Sequence, residues 1–314
     1  MASQPSYHSE VVAPSMNDLP PLPSLSVDEV GLTARAAELG RRSIKKATKL
    51  EGIRRALSMV DLTTLEGADT PDRVRRLCRR ALQPAADEAG LPPVAAVCIY
   101  PRLVPVAYKE LLGSPVQVCA VASGFPAGQV PLSVKIEDTR AAVENGADEV
   151  DIVVARGSLL SGDWQRVFDE IAALKEHCGR AHLKVILETG ELGTFDKVAH
   201  AAWVACSAGA DFIKTSTGKV AVNSTPPTAL CMLNVARDYE RERGRRIGVK
   251  IAGGIRTSKE ALHYLVLVNE TLGPRSLTNK WFRIGASSLV NDLVRQYKKA
   301  MHGTYQCADD VVTD

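Results

Sequence analysis

The chain has 314 residues, of which 45% are hydrophobic and 24% charged, with a formal net charge of +3. That is enough apolar material for a sizeable core in one large domain or two ordinary ones, and it excludes a wholly disordered chain, a collagen and a disulfide-stapled miniprotein. So small a net charge does not mark the whole chain as a polyanion binder, and no apolar run approaches the length of a membrane span.

Residues 1–25 carry Pro14, Pro20, Pro21 and Pro23 with few large apolar groups, and are expected to form a flexible tail. No Lys or Arg precedes Arg35, whereas a secretory signal needs a basic start and a transit peptide needs arginines. The expected location is therefore cytoplasmic. From Ser26 to Leu50 the pattern is helical, with Ser26 three residues before Glu29 at capping-box spacing, so residues 26–56 read as a helical N-terminal extension. Arg41, Arg42, Lys45, Lys46 and Lys49 read as its solvated face, with a polyanion contact as the minor alternative.

Beyond Leu57 short β-branched runs alternate with longer helical stretches. The runs are Ser58–Leu65, Ala95–Tyr100, Val116–Ser123, Glu149–Ala155, Leu183–Thr189, Phe212–Thr217, Gly248–Gly253 and Phe282–Ser287. Their centres lie roughly 32 residues apart, about one strand–turn–helix unit. Eight such units predict an α/β chain folded as a (β/α)8 TIM barrel over residues 57–301, followed by a C-terminal tail at 302–314. The competing fold, a doubly wound open sheet, lacks its Gly-rich turn after the first run.

Strand parity sharpens this reading. A barrel strand turns alternate aliphatic residues outward to the helices and leaves the others inside. With Val150, Ile152 and Val154 outward, Asp151 points inward, and the same rule sends Lys184, Lys214, Lys250, Asp61, Thr63 and Cys98 inside. Three lysines and two aspartates would then converge, which is costly unless they are paired. A structural salt-bridge network is the plain alternative. The chemical reading is that an inward lysine, Lys214, next to a second ammonium from Lys250 tends toward the neutral amine that attacks carbonyls to form a Schiff base, with Asp151 relaying protons.

Gly/Ser-rich turns follow the last three runs: Thr217-Gly218-Lys219, Ala252-Gly253-Gly254-Ile255-Arg256 and Gly285-Ala286-Ser287-Ser288. Barrels commonly bind phosphate after their seventh and eighth strands, where backbone N–H groups and helix N-termini meet the anion. The seven cysteines are scattered without a C-x-x-C pair, which predicts free thiols in a reducing compartment. The six histidines show no ligand spacing, and no metal site is expected. Arg73, Arg75, Arg76, Arg79 and Arg80 read as a solvated helix face, and Arg241–Arg246 as a charged helix end.

The segments Val60–Leu65, Ala96–Pro101, Phe125–Gly128, Glu149–Val153, Leu187–Gly190, Phe212–Lys219, Gly253–Arg256 and Arg283–Ser288 together resemble the deoxyribose-phosphate aldolase family, in chain order from about Leu57 to Met301. The resemblance implies a class I aldolase without a cofactor, cleaving 2-deoxy-D-ribose 5-phosphate into acetaldehyde and D-glyceraldehyde 3-phosphate in deoxyribonucleotide catabolism. Its partners would be the phosphorylated sugar and the aldehyde, with no membrane and no nucleic acid; a homo-oligomer is left open. In this likeness Lys214 matches the Schiff-base lysine, Lys250 the second lysine that favours its neutral amine and helps move protons, and Asp151 the proton relay. Gly218, Lys219, Gly253, Gly254, Ser287 and Ser288 match the phosphate pocket, and Asp61, Thr63, Cys98 and Lys184 the substrate site. Ile251 stands where the family often has proline. Tyr305 is followed by Gln306–Asp314 rather than closing the chain, as a tyrosine does in many members. The extension before Leu50 resembles the longer animal-type members. Two alternatives remain: a related lysine aldolase acting on another sugar phosphate, and a non-catalytic barrel binding nucleic acid through its basic N-terminal helix.

Overall fold

The computed structural model describes residues 18–303 apart from 43 and 45. Two helices, α1 (Glu29–Gly40) and α2 (Lys46–Ser58), precede a closed barrel of eight parallel strands in the order β1 to β8. The strands are β1 (Val60–Thr63), β2 (Ala96–Ile99), β3 (Gln117–Ala122), β4 (Glu149–Val153), β5 (His182–Ile186), β6 (Phe212–Lys214), β7 (Gly248–Ala252) and β8 (Phe282–Ala286). The helices between them are α3 (Pro71–Leu82), α4 (Val104–Leu111), α5 (Leu132–Glu144), the short α6 (Arg156–Ser161) with α7 (Trp164–Glu176), α8 (Phe195–Ser207), α9 (Pro226–Arg243) and α10 (Ser258–Leu272), and α11 (Leu289–His302) follows β8. Seven of the eight expected runs contain their strand whole, and β5 begins one residue before its run, at His182.

Closure comes from β1, which pairs β2 on one side and β8 on the other. Outward aliphatics such as Val150, Ile152, Val185, Ile213, Val249 and Ile251 join the main core against the helices. A small separate cluster of Leu65, Ala96, Cys98, Cys119 and Val121 lies within the ring. Threonine side chains cap the helices that follow several strands: Thr70, Thr194, Thr225 and Thr257 each accept a first-turn N–H.

The N-terminal segment departs from expectation. One helix over 26–50 becomes two, because α1 ends at Gly40 and the Arg41 N–H bonds back to Glu38 at 3.1 Å. Its cap is Asp28, not Ser26, since the Asp28 carboxylate accepts the Gly31 N–H at 2.9 Å. Glu29 instead accepts the Phe195 N–H at 3.3 Å, tying α1 to the start of α8. Within the expected tail, Leu19, Leu22 and Leu25 pack on the core, and the Leu19 N–H donates to Gln165 at 3.0 Å. Leucines at every third position of a Pro-rich extended segment fall on one side of it, as three residues per turn would place them. Residues 1–17 and 304–314, which include Tyr305 and Cys307, lie outside the described residues, as does Lys45.

In the basic segment Arg42 is exposed and pairs with Glu270 at 2.6 Å, and the amine of half-buried Lys49 donates to Gln296 at 3.5 Å. On α3, Arg76 and Arg79 are exposed, whereas Arg80 is half-buried and bonded to Asn291. Past α9, Arg245 lies over the Tyr239 ring and Arg246 over Trp281, so these two cations pack rather than solvate. Among the described residues no helix is long and apolar enough to cross a membrane.

Candidate active site

Alternation along the strands places seven charged side chains inside the barrel, all buried: Asp61, Glu149, Asp151, Lys184, Lys214, Lys250 and Arg283. They form two linked groups. In the first, Arg283 donates to Asp61 at 2.7 Å and to Glu149 at 2.7 and 3.2 Å, and Lys184 bonds the same Glu149 carboxylate. The Phe212 ring lies over Lys184 and Arg283, and fits because its register partner is Gly248, where a Cβ would meet the ring at 2.3 Å.

The second group centres on Asp151. Its Oδ2 accepts from both Lys214 and Lys250 at 2.7 Å, while its Oδ1 accepts from the Cys119 thiol at 3.1 Å and lies 3.2 Å from the Lys184 amine. Lys250 also lies 2.5 Å from Asp61. Lys214 and Lys250 are register partners on β6 and β7, which brings both amines to the same carboxylate. Gly285 gives the Lys250 chain its room, since a Cβ there would stand 3.2 Å from Lys250 Cε.

Three carboxylates face four cations, an excess of one positive charge if every group is ionised. An uncharged Lys214 would leave the interior balanced. Burial alone would raise the carboxylates, but the neighbouring cations overcome it: Lys214, Lys250 and Lys184 hold Asp151 well below its ordinary range. Lys250 and Arg283 lower Asp61, and Lys184 and Arg283 lower Glu149. Burial would lower Lys184 and Lys250, yet the facing anions raise both, so Lys250 is a fixed cation at neutral pH. A hydrogen bond from Cys119 lowers the Cys98 thiol, with Lys250 assisting, whereas burial and that same bond push Cys119 up.

These directions fix the pH dependence of stability. Each depressed carboxylate contributes stability that is complete above its unfolded value of ~4 and is lost as pH falls through its folded value. The raised lysines contribute fully below ~10.4 and lose that only as pH rises through their higher folded values. The thermal unfolding midpoint is therefore expected to be level with respect to these groups between about pH 5 and 10 and to fall steeply below about pH 4. A midpoint that rises as the solution is acidified from pH 5 would contradict the ion-pair arrangement.

Of the residues expected to meet substrate, Thr63 is half-buried and donates to the Asp61 carbonyl at 2.8 Å, and Cys98 is buried in the inner apolar cluster. Tyr100 and Phe125 pack against that cluster, edge to face. Asp61 and Lys184, also expected there, lie inside the barrel with the other charged groups. Both are fully buried, with their charged ends on Lys250, Arg283, Glu149 and Asp151. Sequence reading missed Glu149, Arg283, Cys119 and Glu188. The first two obey the parity rule already applied, Glu149 two residues before Asp151 and Arg283 between Phe282 and Ile284.

The three Gly/Ser turns gather at the strand ends. Gly218, Gly253 and Gly254 have φ of 81°, 83° and 80°, a left-handed backbone that glycine takes without strain. A Cβ on Gly218 would lie 3.9 Å from the Gly253 Cα, so the turns after β6 and β7 touch. Among the described residues the N–H groups of Gly218, Gly253, Gly254 and Ser288 have no acceptor. Ser287 and Ser288 are exposed, Ser288 at the N-cap of α11. Lys219, beside them, pairs with Glu66 at 2.8 Å.

Among the described residues two sets of atoms could in principle hold a metal: Cys98, Cys119 and Asp151, and Asp61, Cys119 and Glu149, each within 4.8 Å. Neither fits well. Their carboxylates are already engaged by lysines and Arg283, and a divalent cation would add charge to an interior with a positive excess. The six described cysteines are all free and buried.

Residues 55–292 match the profile of the DeoC/LacD family aldolases. The chain belongs to this family. The aldolase is 44% identical to the deoxyribose-phosphate aldolase of Mus musculus over 306 residues, covering 94% of this chain and 96% of the relative. It is 42% identical to that of Homo sapiens over the same shares. Among solved structures, the deoxyribose phosphate aldolase of Aeropyrum pernix, described as tetrameric, superposes with a TM-score of 0.63 at 26% identity, covering 81% of this chain and 98% of that one.

Proposed function

We propose that the aldolase reversibly cleaves 2-deoxy-D-ribose 5-phosphate into D-glyceraldehyde 3-phosphate and acetaldehyde through a Schiff base on Lys214, acting in the cytoplasm in deoxyribonucleotide catabolism. The observation that carries this is Asp151 Oδ2, bonded at 2.7 Å to both Lys214 and Lys250. In this reading the uncharged Lys214 amine attacks the C1 aldehyde of the open sugar. Asp151 takes up and returns the proton as the carbinolamine loses water and the iminium forms. The iminium draws the electrons of the C2–C3 bond as the C3 hydroxyl gives its proton to Asp151, which later returns it to the enamine at C2, and glyceraldehyde 3-phosphate leaves. The remaining enamine is protonated at C2, and water releases acetaldehyde and Lys214. Lys250, a fixed cation on the same carboxylate, disfavours a second ammonium beside it. Thr63 and Cys98 border the sugar. Asp61 and Lys184, both buried, hold Lys250 and Asp151 in place.

The phosphate goes to the amides of Gly218, Gly253, Gly254, Ser287 and Ser288, with Lys219 as the nearby cation. The test is a direct assay of glyceraldehyde 3-phosphate release with phosphorylated and unphosphorylated deoxyribose. Ser288→Glu is expected to raise KM for the phosphorylated sugar roughly tenfold or more and to affect the unphosphorylated one far less, because it puts like charge at the anion's seat. Equal losses for both sugars would make these turns structural only.

A further inference from the structure

We propose that Glu188 is a positioning residue that shapes the phosphate-binding turn after β6 and so sets the preference for a phosphorylated over an unphosphorylated sugar; this rests on the aldolase reading above. Glu188 lies two residues past the end of β5 and is fully buried with φ of 52°, in the left-handed region that non-glycine residues seldom adopt. A glycine would take that backbone freely, so a glutamate held there points to use of its side chain.

The side chain is aimed at the turn. Its two oxygens lie 3.2 and 3.4 Å from the Thr217 N–H, and Oε2 accepts the Thr217 hydroxyl at 2.5 Å. Thr217 Oγ1 accepts in turn from the Lys219 N–H at 3.1 Å. One carboxylate thus folds Thr217 to Lys219 around Gly218, whose own N–H has no acceptor among the described residues and whose backbone lies against Gly253. Arg156 lies 3.8 Å from Glu188 and bonds Glu191 at 2.8 Å and the Ala127 carbonyl at 3.2 Å, which fixes the carboxylate from behind and offsets its charge. Lys214 is reached by none of these bonds. Its strand is held separately, through Leu187 N–H to the Lys214 carbonyl at 3.0 Å and Thr189 N–H to the Thr215 carbonyl at 2.9 Å. The anion seat is therefore anchored by the Glu188 side chain, and the Lys214 strand by the backbone amides on either side of Glu188.

Steady-state kinetics of Glu188→Gln, Thr217→Val and the double variant, on the full chain with both sugars, test this. KM for deoxyribose 5-phosphate should rise about tenfold or more with kcat little changed, while kcat/KM for deoxyribose stays within about twofold. The double variant should be no worse than the worse single, because both remove one tether. Thr217→Ser, which keeps the hydroxyl, should restore the low KM. If Glu188→Gln does not fold, Thr217→Val and Thr217→Ser decide by the same split. Equal losses on both sugars, or additive losses in the double variant, would overturn the role of Glu188 while leaving the aldolase reading intact. An unmodified chain that cleaves neither sugar would overturn that reading and this inference with it.

Discussion

Lys214→Leu is expected to lose activity by about 10⁴-fold or more at every pH, because Lys214 is the proposed source of the carbon–nitrogen bond on which the cleavage depends. The same variant is expected to fold. Asp151 keeps Lys250 at 2.7 Å, Lys184 at 3.2 Å and the Cys119 thiol at 3.1 Å, so no buried carboxylate is orphaned. Three carboxylates would then face three cations, a balanced interior. Circular dichroism and thermal unfolding close to those of the unmodified chain, together with absent turnover from pH 6 to 10, are the expected result. Recovery of activity in base would show that the bond forms elsewhere.

Lys250→Leu is expected to behave differently, with a loss of about 10²-fold or more near neutral pH and partial recovery as pH rises. Lys250 is a fixed cation between Asp151 and Asp61. Without it, three carboxylates would face three cations, and no second ammonium would stand beside Lys214 on Asp151. A more basic solution is expected to offset part of the loss, because the proposed attack needs an uncharged amine. The pH–rate profile of kcat checks this: a rising limb displaced upward supports the charge role, and the profile of the unmodified chain would contradict it.

Period-two alternation made much of this legible from the amino-acid order, because a barrel strand buried on both sides must sort its residues by face. Val150, Ile152 and Val154 pack against the helices, and Asp151 between them lies inside. The same logic covers Lys184, Lys214 and Lys250. It reached Glu149 and Arg283 as well, yet these were not singled out, since neither sits in a chemically suggestive motif. What alternation cannot convey is depth along the barrel. Lys184 shares the inward parity of Lys214, but its register partner on β6 is Phe212, two residues before Lys214, and only the stagger between strands decides that. Glu188 was hidden for another reason: its role depends on a left-handed backbone and on a loop 29 residues further on. At the N-terminus, local spacing favoured Ser26 as the cap, but Asp28 is closer to the first free amides and Glu29 is drawn off to Phe195.

The Schiff base itself is the most direct thing to measure. The unmodified chain should be incubated with acetaldehyde, reduced with borohydride, digested and mapped by mass spectrometry. Irreversible inactivation with a two-carbon ethyl adduct on the peptide bearing Lys214 is the predicted result, and it should be absent from Lys214→Leu. Reduction that leaves activity intact, or an adduct confined to Lys184 or Lys250, would contradict the assignment of Lys214 as the nucleophile.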